Sequence, residues 1–552
     1  MYRSLFVAAV AIFLLVAAPV YAELQNTQVG GEIRIRGNYW TSAFGPDSLT
    51  SYNPLFQGPW RPSWRGYVDP ITGRPGNPLA GLRWAPQPGR LAVGSPVGWD
   101  EKNHSFSFVE QRTKLCVRAD FTELVSAFIE FDSYDWWGED FRSDYITGVD
   151  RRANTGDDVE VYQSYIEASE MFGMPLRLRI GRQEIKLGSG WLVGTNDAGS
   201  FFRGLSFDAI RATYKTEQLS VDAFWAKLAD LSPLEEDADT DLYGVYASYL
   251  GFENITIDAY WLLVRDAMSQ WDTQYGWIGE WIEDVAGVDN YDPTYLHTVG
   301  LRGAGKVGAL DFEAEVAYQF GDADSAGTTF AGAGVISPYG DDDAEYDMWG
   351  GNLQVGYTLD MAWAPRLFLG GAYFGGEDNR DVSFLEWLGA VACPFWSADA
   401  SVSFNRLFSD WQYGQFVSSF DHDCSNLWVA YGGVILNPTE AVTLVASVAY
   451  VESLEEYATT WPSFFLLGRR VNLLYPLSFI DQENPDDLCW EVDLTAIYRY
   501  SEDLSFEAGY AHIFLGDGAA AGNFNIGNGL AFEGGTNDDD ADYFYFETKI
   551  KF

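Results

Sequence analysis

The chain has 552 residues, with 34 Lys and Arg against 80 Asp and Glu and a formal charge of −46. That balance excludes a nucleic-acid partner, because attraction to phosphate needs basic side chains. Four cysteines, Cys116, Cys393, Cys424 and Cys489, are too few and too scattered for a disulfide scaffold or a zinc site. Cys424 and Cys489 can pair if loops bring them together in an oxidising compartment, and isolated thiols fit equally.

Residues 1–22 read as a secretory signal peptide. Arg3 supplies a positive charge, Leu5 to Ala18 is apolar, and Val20-Tyr21-Ala22 carries the small or apolar residues that precede cleavage. The single domain expected is 23–552. No later apolar run is long enough for a membrane helix, since Trp461 to Ile480 is interrupted by Arg469-Arg470.

From there the pattern has period two. Glu32-Ile33-Arg34-Ile35-Arg36 predicts a first strand, and Thr41 to His104, with Pro54, Pro59, Pro62, Pro70 and Pro75, predicts a long loop insertion. Between Val109 and Phe121, Glu110, Arg112, Lys114, Cys116, Arg118 and Asp120 share one face, and Val109, Gln111, Thr113, Leu115, Val117, Ala119 and Phe121 share the other. Val125, Ala127, Ile129 and Phe131 alternate with Ser126, Phe128, Glu130 and Asp132; Asp311, Glu313, Glu315 and Gln319 alternate with Phe312, Ala314, Val316 and Tyr318. Glu491, Asp493, Thr495 and Arg499 alternate with Val492, Leu494, Ala496 and Tyr498. The segments run about 9–13 residues, enough to cross a bilayer at a tilt. Many begin or end in aromatics, as at Tyr39-Trp40, Trp136-Trp137 and Tyr260-Trp261, and 21 Trp and 32 Tyr suit anchoring at two membrane interfaces.

Phe544, Phe546, Thr548, Ile550 and Phe552 alternate with Tyr545, Glu547, Lys549 and Lys551 in a final amphipathic strand. Its terminal aromatic is similar to the signal that outer-membrane barrels present to the barrel-assembly machinery. The strand is placed to close against the first, and closure matters because an open edge in lipid leaves backbone groups unpaired. Short turns such as Thr122-Glu123 alternate with long connections, among them Asp230 to Asp241, Ala267 to Pro293, Asp322 to Asp347, Cys393 to Asn426, Glu452 to Asp487 and Gly516 to Asp540. The expected fold is all-β: a single antiparallel transmembrane β-barrel with short periplasmic turns and long extracellular loops, in contact with outer-membrane lipid.

Leu176-Arg177-Leu178-Arg179-Ile180-Gly181-Arg182-Gln183-Glu184, then Gly188-Ser189-Gly190-Trp191-Leu192-Val193-Gly194, then Ser206-Phe207-Asp208-Ala209-Ile210-Arg211 resembles the alginate-export family of outer-membrane barrels. Gln111 to Leu115, His297 to Arg302 and Glu491 to Leu494 look like further pieces, and the similarity runs over roughly 105–320 and again near 365–375, 400–410 and 490–516. The resemblance implies a monomeric barrel of about 18 strands (16–18) with an arginine-lined conduit for an anionic polysaccharide. It implies that Arg112, Arg182, Arg211 and Arg302 line the passage and that Glu184 and Asp208 hold arginines in place.

Arg34, Arg36, Lys114 and Arg118 join these on polar strand faces that also carry Glu110, Glu130, Asp132, Glu313, Glu315, Glu491 and Asp493. Carboxylate-balanced arginines can hold barrel shape through bidentate pairs, or form a ladder of weak sites for anionic groups. The expected cargo is an anionic or polar saccharide moving by passive diffusion, without a cofactor. A secreted soluble β-protein that binds or cleaves glycans is the alternative, and a barrel plugged by a long loop, acting as a shell, is a third reading.

Other constellations read blandly. The acidic clusters Asp237 to Asp241, Asp341 to Asp343 and Asn537 to Asp540 are solvated loop charge, open to weak Ca²⁺; the first has Leu242 where a calcium loop needs Gly and Ser248 where it needs Glu. Gly303 to Gly308 reads as a tight glycine turn, because no helix follows it and Val307 replaces the hydroxyl residue of a phosphate loop. Four histidines, His104, His297, His422 and His512, stand on separate segments and give no spacing for a catalytic triad, so no enzyme is expected.

Overall fold

A computed structural model describes residues 24–41, 106–137, 159–195, 197, 204–230, 239–267, 293–322, 344–376, 400–415, 424–455, 463–466, 469–472, 486–518, 524–526, 530–532 and 540–552. The predicted signal peptide, nearly all of the 41–104 loop, Cys393, His104, His422 and the 341–343 acidic cluster lie outside the described residues.

The alternating segments form eighteen consecutive strands of one barrel. They are β1 Asn26–Thr41, β2 Phe106–Thr122, β3 Val125–Trp136, β4 Glu160–Ala168, β5 Leu176–Gln183, β6 Phe207–Lys215, β7 Leu219–Asp230, β8 Asp239–Phe252 and β9 Ile255–Asp266, followed by β10 Thr294–Val307, β11 Leu310–Asp322, β12 Ala344–Thr358 and β13 Arg366–Phe374. The last five are β14 Leu427–Thr439, β15 Val442–Ser453, β16 Asp487–Arg499, β17 Leu504–Leu515 and β18 Ala541–Lys551. Each pairs antiparallel with the next, and β1 closes on β18 from Glu32 opposite Lys551 to Thr41 opposite Asp542. Phe552 extends the closure, its N–H donating to Gly31 O at 3.1 Å and its O accepting from Gly31 N at 2.9 Å. A short strand, Ala400–Val402, runs parallel beside β12.

Connections at one end are tight: 123–124, 169–175, 216–218, 253–254, 308–309, 359–365, 440–441 and 500–503. Asn254 and Gly308 have φ of 59° and 63°, the left-handed backbone that a two-residue hairpin turn needs. The expected glycine turn at 303–308 shrinks to Gly308-Ala309, because Gly303 to Val307 pair within β10. The longer connections all lie at the other end. The acidic cluster at 237–241 is less of a loop than expected: Asp239 and Asp241 belong to β8, beside Lys227 of β7.

The outward face of the strands is apolar, and the inward face is polar except on β7 to β10, where both faces carry apolar residues. Ile166, Leu301, Leu353, Leu369, Leu494 and Phe546 stand exposed on the outer surface, Leu369 by 71%. Arg34, Arg36, Arg112, Asp258, Glu491 and Asp493 point inward and are buried, Arg112 to 1%. In water this arrangement would forfeit roughly 25 cal/mol for each Å² of apolar surface left wet. In hydrocarbon it loses nothing. The greasy faces do not meet each other as in a sandwich, and the sheet has no open edge between its first and last strands, so the soluble alternative falls. Outward aromatics mark two belts. Trp225, Trp261, Trp349, Trp490 and Phe514 lie toward the long connections, and Phe172, Phe252, Tyr357, Trp363 and Tyr500 toward the short turns. Rings on neighbouring strands pack at a tilt within the upper belt, Tyr318 with Trp349 and Tyr450 with Trp490, with centroids 4.6 Å apart.

Leu353, midway along β12 and facing outward, tests the assignment of faces. Leu353→Arg is expected to lower unfolding stability in lipid vesicles by about 2–4 kcal/mol, measured by denaturant titration. A loss no larger than that of Leu353→Ala would contradict the outward, lipid-facing placement.

Candidate functional site

Two chain segments leave the wall and fold into the lumen. One follows β5 and covers 184–195; the other, 403–415, belongs to the connection between β13 and β14. They meet through backbone hydrogen bonds, Phe408 N to Leu192 O and Gly194 N to Phe408 O at 2.8 Å and Asp410 N to Gly190 O at 3.0 Å. Asp410 secures the joint. Its carboxylate accepts from Thr195 N and from Lys186 Nζ, both at 3.1 Å. It rests in a cradle that only glycines allow: a Cβ on Gly190 or Gly194 would lie 2.1 or 2.2 Å from carboxyl atoms of Asp410, and Gly190 has φ +89°.

Trp191 anchors this joint to the wall. It is fully buried, donates Nε1–H to Tyr413 OH at 3.1 Å, and stacks on Phe374 and Phe404 at 5.9 Å. Gln319 of β11 grips the backbone of Asn405 twice, at 2.7 Å each way. Ile185, Leu187, Leu192 and Val193 pack on luminal apolar residues of β7 to β10, among them Phe224, Leu242, Leu262 and Leu296. One sector of the interior is thus a solid hydrophobic core.

The charged luminal residues of the wall are paired. Arg34 and Arg36 of β1 share Glu547 of β18, at 2.9 and 2.6 Å. Arg112 of β2 meets Asp132 of β3 at 2.6 Å and also Asp197, and its guanidinium lies 5.1 Å from the Tyr162 ring centroid. Lys114 bonds Asp197 at 2.6 Å and Glu130 at 3.3 Å. Asp197 therefore ties the stretch that follows the first inward segment to β2. Burial pushes its carboxyl upward, but Arg112 and Lys114 outweigh burial and hold it below the usual aspartate range. Arg302 of β10, across the barrel from β1, bonds Asp258 at 2.7 Å and Glu313 at 2.9 Å. Arg211 bonds Asp222 at 3.0 Å, and Arg118 bonds Asp120 at 3.0 Å.

Three sequence expectations are corrected. Arg182 and Asp208 do not line the lumen. They share the outward face with Ile180 and Ile210 and bond each other at 2.8 and 3.0 Å, so Asp208 does hold an arginine as the resemblance implied, but outside the conduit. The reason is parity: Leu176, Leu178 and Ile180 face lipid, so Arg182 follows them outward. Glu184 holds no arginine among the described residues; it accepts from Tyr162 OH at 2.7 Å. The inward arginines of β5 are Arg177 and Arg179, as their alternation with Leu176, Leu178 and Ile180 requires. Asp410 and Asp197 had no local signal, since their partners stand 215 and 85 residues away.

Asp410→Ala is expected to leave the Thr195 N–H unsatisfied, costing about 1–3 kcal/mol locally. Single-channel recordings should then show larger, noisier currents, and unchanged traces would remove Asp410 from the joint. The depressed Asp197 carboxyl gives an acid-side expectation. A group with a lowered folded pKa contributes above its unfolded value, about 3.9, and loses that contribution as pH falls through the folded value. Channel noise should stay level from pH 7 to about 4 and rise only below it; Asp197→Asn should abolish the acid step.

No curated protein sequence matches the chain significantly. Among solved structures, Pseudomonas aeruginosa OccK8 (OprE) is similar at 10% identity, covering 95% of this chain and 98% of that one, with a TM-score of 0.47. Pseudomonas aeruginosa OpdQ (10% identity, 95% and 97% covered, TM-score 0.45) and Acinetobacter baumannii OccAB2 (11%, 97% and 99%, 0.45) are similar too. The family model described as alginate export matches residues 99–523, most of the chain. The protein belongs to the alginate-export family: it is an outer-membrane β-barrel channel, not an enzyme.

Proposed function

We propose that the channel passes anionic or polar saccharides by passive diffusion, as a monomer and without a cofactor. The supporting observation is the distribution of cations that lack a close carboxylate. Arg34, Arg36, Arg112 and Lys114, from mid-barrel toward the long connections, and Arg302, nearer the short turns, are all paired with carboxylates. Toward the short turns, Arg177, Lys306 and Arg499 make no close ion pair among the described residues, Asp222 and Asp311 acting on Arg177 and Lys306 only at longer range. Arg177 donates only to Thr213 Oγ1 at 3.3 Å, and Arg499 to Thr443 Oγ1 at 3.2 Å. Arg179 and Arg211, opposite each other on β5 and β6, add donors that Glu167 and Asp222 only partly occupy.

Such a mouth attracts carboxylates weakly and releases them, as conduction requires. Neutralised pairs, and buried carboxylates capped by Tyr246 on Asp258 and Tyr260 on Glu315 at 2.8 Å, leave the interior without a deep charge trap. Phe552, exposed at the seam, is the residue we assign to recognition by the barrel-assembly machinery.

Planar-bilayer recording tests the reading. Uronic-acid oligomers should block or carry current at lower concentration than neutral oligosaccharides of equal length. Arg177→Glu with Arg499→Glu should lower the anion-to-cation permeability ratio several-fold. An unchanged reversal potential in a salt gradient would take those residues out of the conduit. Arg302→Ala is expected to destabilise the barrel instead, by about 3–5 kcal/mol, because it strands buried carboxylates.

A further inference from the structure

The outward face of β15 to β18 is not uniformly convex. Cross-strand neighbours there run Ala446, Leu494, Tyr510, Phe544 in one row and Leu444, Ala496, Ala508, Phe546 in the next row toward the short turns. The three alanines form a floor between larger neighbours. The result is a groove of about 570 Å³ lined by Ala446, Ala496, Ala508, Leu494, Tyr510 and Phe544, within the usual size of a ligand site.

One row further toward the long connections the same face turns polar. His512 stands opposite Asp542, and Asp542 opposite Thr41. Asp542 accepts from Tyr510 OH at 2.7 Å and from Thr41 Oγ1 at 3.2 Å, with His512 Nδ1 at 2.8 Å. Asp540 adds a second carboxylate 3.9 Å from His512 Nε2. The cluster lies beside the upper aromatic belt, where ionisable side chains meet lipid headgroups and are costly only deeper in hydrocarbon. None of these four side chains faces the lumen, so solute passage does not account for them.

We infer that this face is a specific lipid site: an acyl chain lies in the alanine-floored groove and an ammonium-bearing headgroup meets the Asp542 and Asp540 carboxylates. The physical case is complementarity along one line. The apolar groove sits in the hydrocarbon belt, where only a lipid tail or another apolar surface can fill it. Its upper end runs directly into an acceptor-rich cluster, as an amphiphile requires. Two carboxylates there repel purely anionic headgroups and favour a cation.

The test uses the full-length protein in bilayer nanodiscs containing phosphatidylethanolamine with a diazirine on one acyl chain. After illumination, peptides covering 442–453, 487–499 and 504–515 should carry several-fold more label than outward peptides of β7 to β9. Ala496→Leu with Ala508→Leu fills the groove with apolar side chains that lipid tolerates, so the barrel should still assemble and the excess should vanish. Ala259→Leu, on the outward face of β9, should leave it intact. Asp542→Asn should lower labelling by the ethanolamine lipid but not by the matching phosphatidylglycerol probe. Even labelling around the barrel, or an excess that survives the filled groove, would overturn the site. Equal labelling by both probes would overturn the headgroup assignment. Crosslinks between two copies through this face would assign the groove to an oligomer contact instead.

Discussion

Backbone N–H and C=O groups have no partner in hydrocarbon except one another, and the pairing of β1 with β18 satisfies that demand. Once the sheet is closed, each strand has one face in lipid and one in an enclosed interior. The period-two sequence then does its work without further instruction: Leu, Ile and aromatic residues go outward, and charges have nowhere to go but in. A barrel lacking that closure would expose a row of unsatisfied groups costing several kcal/mol each.

Placing charges inside a narrow space creates a second demand, that each find an opposite charge. Most do. Glu547 serves both arginines of β1, and Asp197 reaches back to Arg112 and Lys114. Such pairs are costly to break and weak as solute sites, so they act as framework. The joint between the two inward segments follows the same logic on a smaller scale. Asp410 is buried, and it is held by a lysine, a backbone N–H and the space left by two glycines. In the reading proposed here, selectivity is left to the cations whose close partners are hydroxyls, Arg177 and Arg499, toward the short turns.

Much of this was legible in the sequence. Alternation at 109–121, 125–132, 311–319 and 491–499 marked the strands, and the last strand announced the seam. Face assignment failed at Arg182, where a family motif was followed in preference to the parity of its own strand. The luminal core was missed for a different reason. On β7 to β10 both faces carry apolar residues, such as Phe224 beside Trp225 and Leu262 beside Trp261, so alternation alone cannot tell lipid from packed interior. The Asp410 joint was invisible because it links residues about two hundred positions apart, and no local period records such a contact. The glycines at 190 and 194 were noticed as a motif, but only the fold reveals that they make room for a carboxylate.

The assignment of faces carries everything else, and residue-by-residue accessibility measures it most directly. Single cysteines placed at successive positions from Trp490 to Tyr498 of β16 can be labelled with a fluorophore in lipid vesicles. Quenchers attached to acyl chains should then reach positions 490, 492, 494, 496 and 498, and a water-soluble quencher should favour those between them. Equal quenching along the strand, or the opposite alternation, would contradict a closed barrel with an apolar exterior and a charged interior.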